Sequence, residues 1–419
     1  MPISPSFQAR LYSVLPDVCD HYGTPFHIYD EQGIRDTCAR LQRAFAAIED
    51  FREYYAVKAL PNPAILSIMH EVGFGFDCSS RTELLLARQV GAVARDIMFT
   101  SNNTNEQEFR LAAASGGCIL NLDDISLIEK VPVFPELICF RYNPGASRSG
   151  NAIIGVPEES KYGVSHAQIV DAYRQAIARG AKRFGLHTML VSNELDYRYM
   201  VQTTEMLLEL VEKISNALGI VFEFINVGGG LGIPYLPGQD GLDVEQMGQE
   251  ICRLFSLFKK KHGYMPGLYM ESGRFMTGPH GALVTKAINR KDIYRTYIGV
   301  DACMSSLMRP ALYDAYHHID VLGKDGDAPA EVVDVVGSLC ENNDKFAIQR
   351  SLPHIDNGDI LIIHDTGAHG SAMGFTYNGK LRPKELLLRS DGRVELIRRA
   401  ETEQDYFATL DFTEDIFKP

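Results

Sequence analysis

The chain lacks any apolar run of the roughly 18 to 20 residues that a membrane-crossing helix needs, so no membrane partner is expected. Its first ten residues, Met1 to Arg10, lack a basic stretch followed by an apolar one, and no signal peptide is predicted. None of the eight cysteines (Cys19, Cys38, Cys78, Cys118, Cys139, Cys252, Cys303, Cys340) forms a Cys-x-x-Cys pair. That scatter argues against zinc and against a disulfide scaffold, and fits a reducing cytoplasm. Basic residues are in deficit, 41 Lys and Arg against 54 Asp and Glu, giving a net charge of −13. With no basic cluster either, a nucleic-acid partner is not expected. Low-complexity segments are absent too. What remains is a soluble globular composition, 45% hydrophobic and 23% charged, whose 419 residues suggest about two domains.

The organising stretch is Tyr54 to Pro63 (YYAVKALPNP). Aromatic and β-branched residues mark a strand, and Pro61 and Pro63 stop it. Lys58 would then be the last side chain that a buried strand delivers above the sheet. Burial lowers the pKa of an unpaired amine, and a neutral amine is a nucleophile suited to Schiff-base chemistry. A lysine at a strand end can equally snorkel to water; the rest of the chain decides between the two.

From Tyr54 onward strand-like runs end at Lys58, Cys78, Ser101, Asp123, Asn143, His187, Gly228 and Glu271. Helical patterns separate them, at 63–72, 81–90, 106–114, 166–179, 199–218 and 244–262, after an earlier one at 31–47. Eight β/α units imply parallel strands with right-handed crossovers, closed as a (β/α)₈ barrel of about 250 residues; an open doubly wound sheet is the alternative. The barrel is predicted over 31–277. After about Gly278 short β-rich runs take over (282–287, 296–301, 319–322, 330–336, 360–364, 385–388, 394–398). They predict a mainly antiparallel β domain over 278–419, joined by 1–30 through a strand near Phe26 to Tyr29. The fold class is therefore α/β, a TIM-like barrel plus a β domain.

Two glycine-bearing segments could carry chemistry. Gly228-Gly229-Gly230 follows strand seven, where glycines let backbone N–H groups converge and an anion approach. Barrels use loops seven and eight for phosphate. Glu271-Ser272-Gly273-Arg274 closes strand eight, and Arg274 would suit that phosphate. The adjacent His317 and His318 resemble a metal pair only superficially, since neighbouring side chains on a helix point apart; no metal is expected.

In order, Tyr55-Ala56-Val57-Lys58-Ala59, Gly228-Gly229-Gly230, Glu271-Ser272-Gly273-Arg274, Arg309-Pro310-Ala311-Leu312-Tyr313 and Cys340-Glu341-Asn342-Asn343-Asp344 resemble the motifs of the barrel-type (fold type III) pyridoxal-phosphate decarboxylases. The pattern is most similar to diaminopimelate decarboxylase. The resemblance implies pyridoxal 5′-phosphate as cofactor, with Lys58 bonded to its aldehyde. It implies Gly228 to Gly230, Ser272, Gly273 and Arg274 around the phosphate, and Glu271 at the pyridine nitrogen. His187, His369 and Tyr377 are implied as further cofactor contacts. Arg274, Arg309, Tyr313, Glu341 and Tyr377 would meet the substrate. Cys340 and Glu341 would cross a homodimer interface into the partner's active site, Cys340 returning a proton to the substrate carbon.

Two departures stand out. In Gly185-Leu186-His187-Thr188-Met189, Met189 takes the place of the family's ring-stacking histidine, and Gly367-Ala368-His369 replaces Gly-Ala-Tyr. The implied activity is decarboxylation of meso-diaminopimelate to L-lysine and carbon dioxide in lysine biosynthesis. A different carboxylated diamine, from a polyamine, siderophore or antibiotic pathway, is the main alternative. An amino-acid racemase is disfavoured by the acid at Glu271, where racemases of this type place arginine. A catalytically silent relative is disfavoured by the presence of both Lys58 and the β domain.

Overall fold

The computed structural model describes residues 3–150, 155–324 and 329–411. Two compact units emerge, Glu31–Pro279 and the pair of segments Met1–Asp30 with His280–Pro419.

Among the described residues of the first unit, the barrel strands run Phe51–Ala56, Gly75–Cys78, Ala94–Phe99, Cys118–Leu122, Leu137–Asn143, Arg183–His187, Phe222–Asn226 and Gly267–Met270, and a two-residue strand, Val164–Ser165, pairs outside them with Leu137–Asn143. Every neighbouring pair is parallel, the eighth pairs with the first, and the cylinder closes. The open-sheet alternative is thereby removed. Connecting helices are stopped by local chemistry. Asp196 and Asp243 cap the helices Tyr197–Leu218 and Val244–His262, and Gly219 and Gly263 end them in the left-handed conformation that side-chain-bearing residues avoid.

Because strand side chains alternate, each barrel strand sends every second residue inward. At the floor these are Tyr54, Met98, Ile119, Leu137, Cys139, Phe224 and Tyr269, which form one buried apolar cluster. The Phe224 and Tyr269 rings stack at 4.2 Å. Gly185 leaves room for them, since a Cβ there would lie 2.1 Å from the Phe224 ring. Two residues further along the same strands come Asn121, Arg141, His187, Asn226 and Glu271. The inward register thus turns from apolar to polar within one step, at the carboxyl end where barrels do chemistry.

The second unit is a mixed sheet. Phe26–Asp30, buried throughout, pairs antiparallel with Gly281–Asp292 and parallel with Lys384–Leu388. The other pairings are antiparallel, apart from Thr296–Val300 beside Ala330–Val336. Helix Pro5–Tyr22 covers part of this sheet with Phe7, Leu11, Leu15 and Val18. A nine-residue strand, Lys345–Pro353, was not foreseen from the sequence. Gln349 bends it at φ 45°, beside register shifts against Ala330–Val336, which breaks the alternation that marks a strand. Among the described residues no helix is long and apolar enough to cross a membrane.

Truncating the stacked floor should be costly. Phe224→Ala is expected to remove about 3–5 kcal/mol, read as a clear fall in the thermal midpoint of the barrel's helical signal. An unchanged midpoint would mean that the ring stack is not what holds the floor.

Candidate active site

Lys58 does not sit on a strand. The first strand ends at Ala56, and Lys58 lies in a 3₁₀ turn, Val57–Ala59, with its side chain about half exposed (51%) at the barrel mouth. Its Nζ donates to Asp77 Oδ2 at 3.3 Å. The expected lowering of its pKa is therefore reversed. The Asp77 charge, outweighing burial and aided by Glu271 and Glu83, holds the ammonium above the usual lysine range. Asp77 itself is pushed up to about 7, first by burial and then by the Glu271 charge, with Lys58 pulling the other way. A carboxyl that titrates near neutrality can gain or lose a proton with water, while the ammonium beside it keeps its own. Asp77 stands one residue before the strand end at Cys78, and an acid at the carboxyl end of a barrel strand is the sequence signal that marks it.

Glu271 is only 7% exposed and leaves the end of the eighth strand. Its Oε1 accepts from Asn226 Nδ2 at 2.7 Å, and its Oε2 lies 3.2 Å from His187 Nε2. Burial alone would raise its pKa. The His187 charge, then Lys58 and the Asn226 amide, outweigh that and hold the carboxyl below its usual range. The Nε2 contact is an ion pair rather than a well-aligned hydrogen bond, and both His187 nitrogens are buried without a hydrogen-bond partner among the described residues.

Asn226 has a second task. Its Oδ1 accepts from Gly228 N at 2.8 Å, while Glu271 N donates to Gly228 O at 2.9 Å. Gly228 is therefore tied to the acid through both its N–H and its carbonyl. Gly228 and Gly230 have φ of 72° and 96°, values that favour glycine. A Cβ at Gly228, Gly229 or Gly230 would meet Thr188 O at 2.4 Å, Glu271 O at 2.3 Å or Val191 O at 2.6 Å. Met189 lies against this loop, its Sδ 3.1 Å from Gly229 N. Ser272 N donates to Glu53, a buried acid whose carboxyl burial pushes well up. Gly273 opens a short helix, Arg274–Thr277, and packs where a Cβ would strike Ala59 at 2.6 Å. Arg274, buried to 8%, donates to Tyr235 OH at 2.5 Å and to Ser192 Oγ at 3.4 Å. Arg141 completes the mouth, 3.3 Å from Asp123 and 4.2 Å over the Tyr162 ring. The barrel thus gathers Lys58, His187, Gly228, Gly229, Gly230, Glu271, Ser272, Gly273 and Arg274. It adds Arg141 at the barrel top, and Asp77, Asn226 and Tyr235, for which no local motif gives a role.

The remaining expected residues belong to the second unit. Arg309 is buried and its Nη1 lies 3.2 Å from His317 Nε2. Tyr313 and Tyr377 are 44% and 54% exposed. Cys340 is exposed rather than buried, and its N donates to Asn378 Oδ1 at 2.7 Å, which sets Cys340 and Glu341 beside Tyr377. His369 has φ 56° and is partly buried. His317 and His318 lie not on a helix but just before strand Ile319–Val321. They serve different partners, His317 the His364 carbonyl and His318 the Asp320 carboxylate.

Removing the charge beside Lys58 should change its titration. In cofactor-free protein Asp77→Asn is expected to lower the Lys58 pKa and so speed its reductive methylation at neutral pH, mapped by peptide mass. An unaltered pH profile would show that Asp77 does not govern the amine.

Residues 31–278 match the family model described as pyridoxal-dependent decarboxylase, pyridoxal binding domain. The chain is 46% identical to Protein TabA of Pseudomonas amygdali pv. tabaci, over 100% of this chain and 99% of that one. It is 38% identical to a diaminopimelate decarboxylase of Methanothermobacter thermautotrophicus, over 93% and 92%. A crystal structure of diaminopimelate decarboxylase from M. jannaschii in complex with L-lysine superposes with a TM-score of 0.88, at 29% identity and 94% of each chain. With an amine, a buried ionised acid and a glycine loop joined at one barrel mouth, the chain belongs to the pyridoxal-phosphate-dependent decarboxylases of the barrel type.

Proposed function

We propose that this enzyme decarboxylates meso-diaminopimelate to L-lysine and carbon dioxide. The observation that carries the chemistry is Glu271, a buried carboxylate kept ionised by His187 and Asn226. The substrate is supported by 38% identity to a diaminopimelate decarboxylase along nearly the whole chain.

Pyridoxal phosphate fits the donor set. Lys58 offers an amine open to the mouth, Glu271 an anion, and Arg274 a buried cation, which match the cofactor's aldehyde, ring nitrogen and phosphate. When bound, the cofactor supplies an electrophilic aldehyde and a protonated ring that takes up the electron pair released with carbon dioxide. Glu271 would hold the proton on the ring nitrogen, because a nearby carboxylate favours the cation. Asp77 would orient the Lys58 amine at the mouth through the 3.3 Å contact to its Nζ. Arg274 and the Gly228–Gly230 loop would bind phosphate, and His369 and Tyr377 would add contacts.

The substrate's distal end would meet Arg309, Tyr313 and Glu341, and Cys340 would return the proton to the α-carbon. Exposure of Cys340, Tyr313 and Tyr377 supports their use by a second copy of the chain, in a homodimer with shared sites. A second reading, decarboxylation of another carboxylated diamine, is favoured by the higher identity to Protein TabA and by Met189 and His369 at positions that shape the site.

A panel of diaminopimelate, lysine, ornithine, arginine and carboxynorspermidine, with products identified by mass, separates the readings. Lysine and carbon dioxide from diaminopimelate are expected; turnover of another diamine alone would select the second. Lys58→Ala should abolish turnover. Glu271→Gln should lower kcat about a hundred- to ten-thousand-fold, and near-wild-type turnover by it would contradict the role given to the acid.

A further inference from the structure

Arg274 presents an energetic puzzle. Its guanidinium is buried, yet among the described residues of the barrel no carboxylate pairs with it; its side-chain partners are the hydroxyls of Tyr235 and Ser192. A buried cation without a counter-ion is costly. Neutral hydroxyl acceptors orient a guanidinium without cancelling its charge, which stays available to an arriving anion. Tyr235 is suited to this. It is 7% exposed, lies five residues beyond Gly230 on the same loop, and its OH meets Nη1 at 2.5 Å, with the Arg274 carbon 5.8 Å over its ring. An acid at this position would spend the charge, and an apolar residue would leave the fork free to turn.

We infer that Tyr235 is a positioning residue that holds Arg274 uncompensated and aimed, so that the guanidinium takes a phosphate monoester. The inference rests on the reading of this mouth as the cofactor site. It is tested by binding rather than turnover, so an enzyme that releases no carbon dioxide would leave this result readable.

Cofactor-free protein is titrated with inorganic phosphate, pyridoxal phosphate and pyridoxal, in wild type, Tyr235→Phe, Arg274→Lys and the double variant. Tyr235→Phe is expected to weaken inorganic phosphate and pyridoxal phosphate about tenfold, the loss of one hydrogen bond to a charged group, and to leave pyridoxal affinity as it was. The double variant should bind phosphate no worse than Arg274→Lys alone, since the two residues act as one unit. Unchanged phosphate affinity, an equal loss for pyridoxal, or additive losses would overturn the assignment. So would a loss confined to binding of the amino-acid substrate, which would give Arg274 to a carboxylate instead. Should Tyr235→Phe fold poorly, 3-fluorotyrosine at 235 keeps the shape. Its more acidic hydroxyl ionises beside Arg274 as pH rises, so phosphate affinity must fall where the wild type's does not; no such fall would also overturn the assignment.

Discussion

The site depends on keeping one carboxylate charged where water cannot reach it. Burying an ion costs several kcal/mol, and Glu271 meets that cost with two partners, His187 and the amide of Asn226. Both stand two residues past the floor register on their own strands, His187 after Gly185 and Asn226 after Phe224. The floor and the acid are therefore one construction. A strand that slipped by one residue would turn its polar group out of the barrel and an apolar one into the mouth.

Asn226 extends the constraint to the glycine loop. One face of its amide donates to Glu271 and the other accepts from Gly228. The residue that steadies the acid thus also fixes the backbone of the glycine loop. Glycine is required there on steric grounds, since the neighbouring carbonyls already stand closer than a Cβ allows. On the opposite side of the chemistry, Asp77 and Lys58 form a softer pair. The aspartate titrates near neutrality and the lysine is open to solvent, so protons can move there while the Glu271 charge stays fixed.

Much of this was legible in the sequence. Eight strand ends spaced by helical patterns gave the barrel, and polar or glycine residues at those ends gave the catalytic face. Lys58, Glu271 and the glycine triplet came from motifs that are local in the chain. What escaped reading was the pairing of side chains between neighbouring strands. Asp77 lies nineteen residues from Lys58 along the chain, and Asn226 lies forty-five from Glu271. Only the parallel pairing of neighbouring strands brings such residues together. Asp77 reversed the expected sign of the Lys58 shift because burial and a neighbouring charge act in opposite directions on an amine. The strand Lys345–Pro353 escaped because a bulge interrupts its period, and the solvent position of Cys340 escaped because a lone cysteine carries no directional signal.

The most direct test follows the proton that Glu271 is held charged to secure. Enzyme loaded with pyridoxal phosphate labelled with ¹⁵N at the ring nitrogen should give, at neutral pH, the chemical shift of a protonated pyridinium. A shift characteristic of neutral pyridine in the wild-type enzyme would contradict the account.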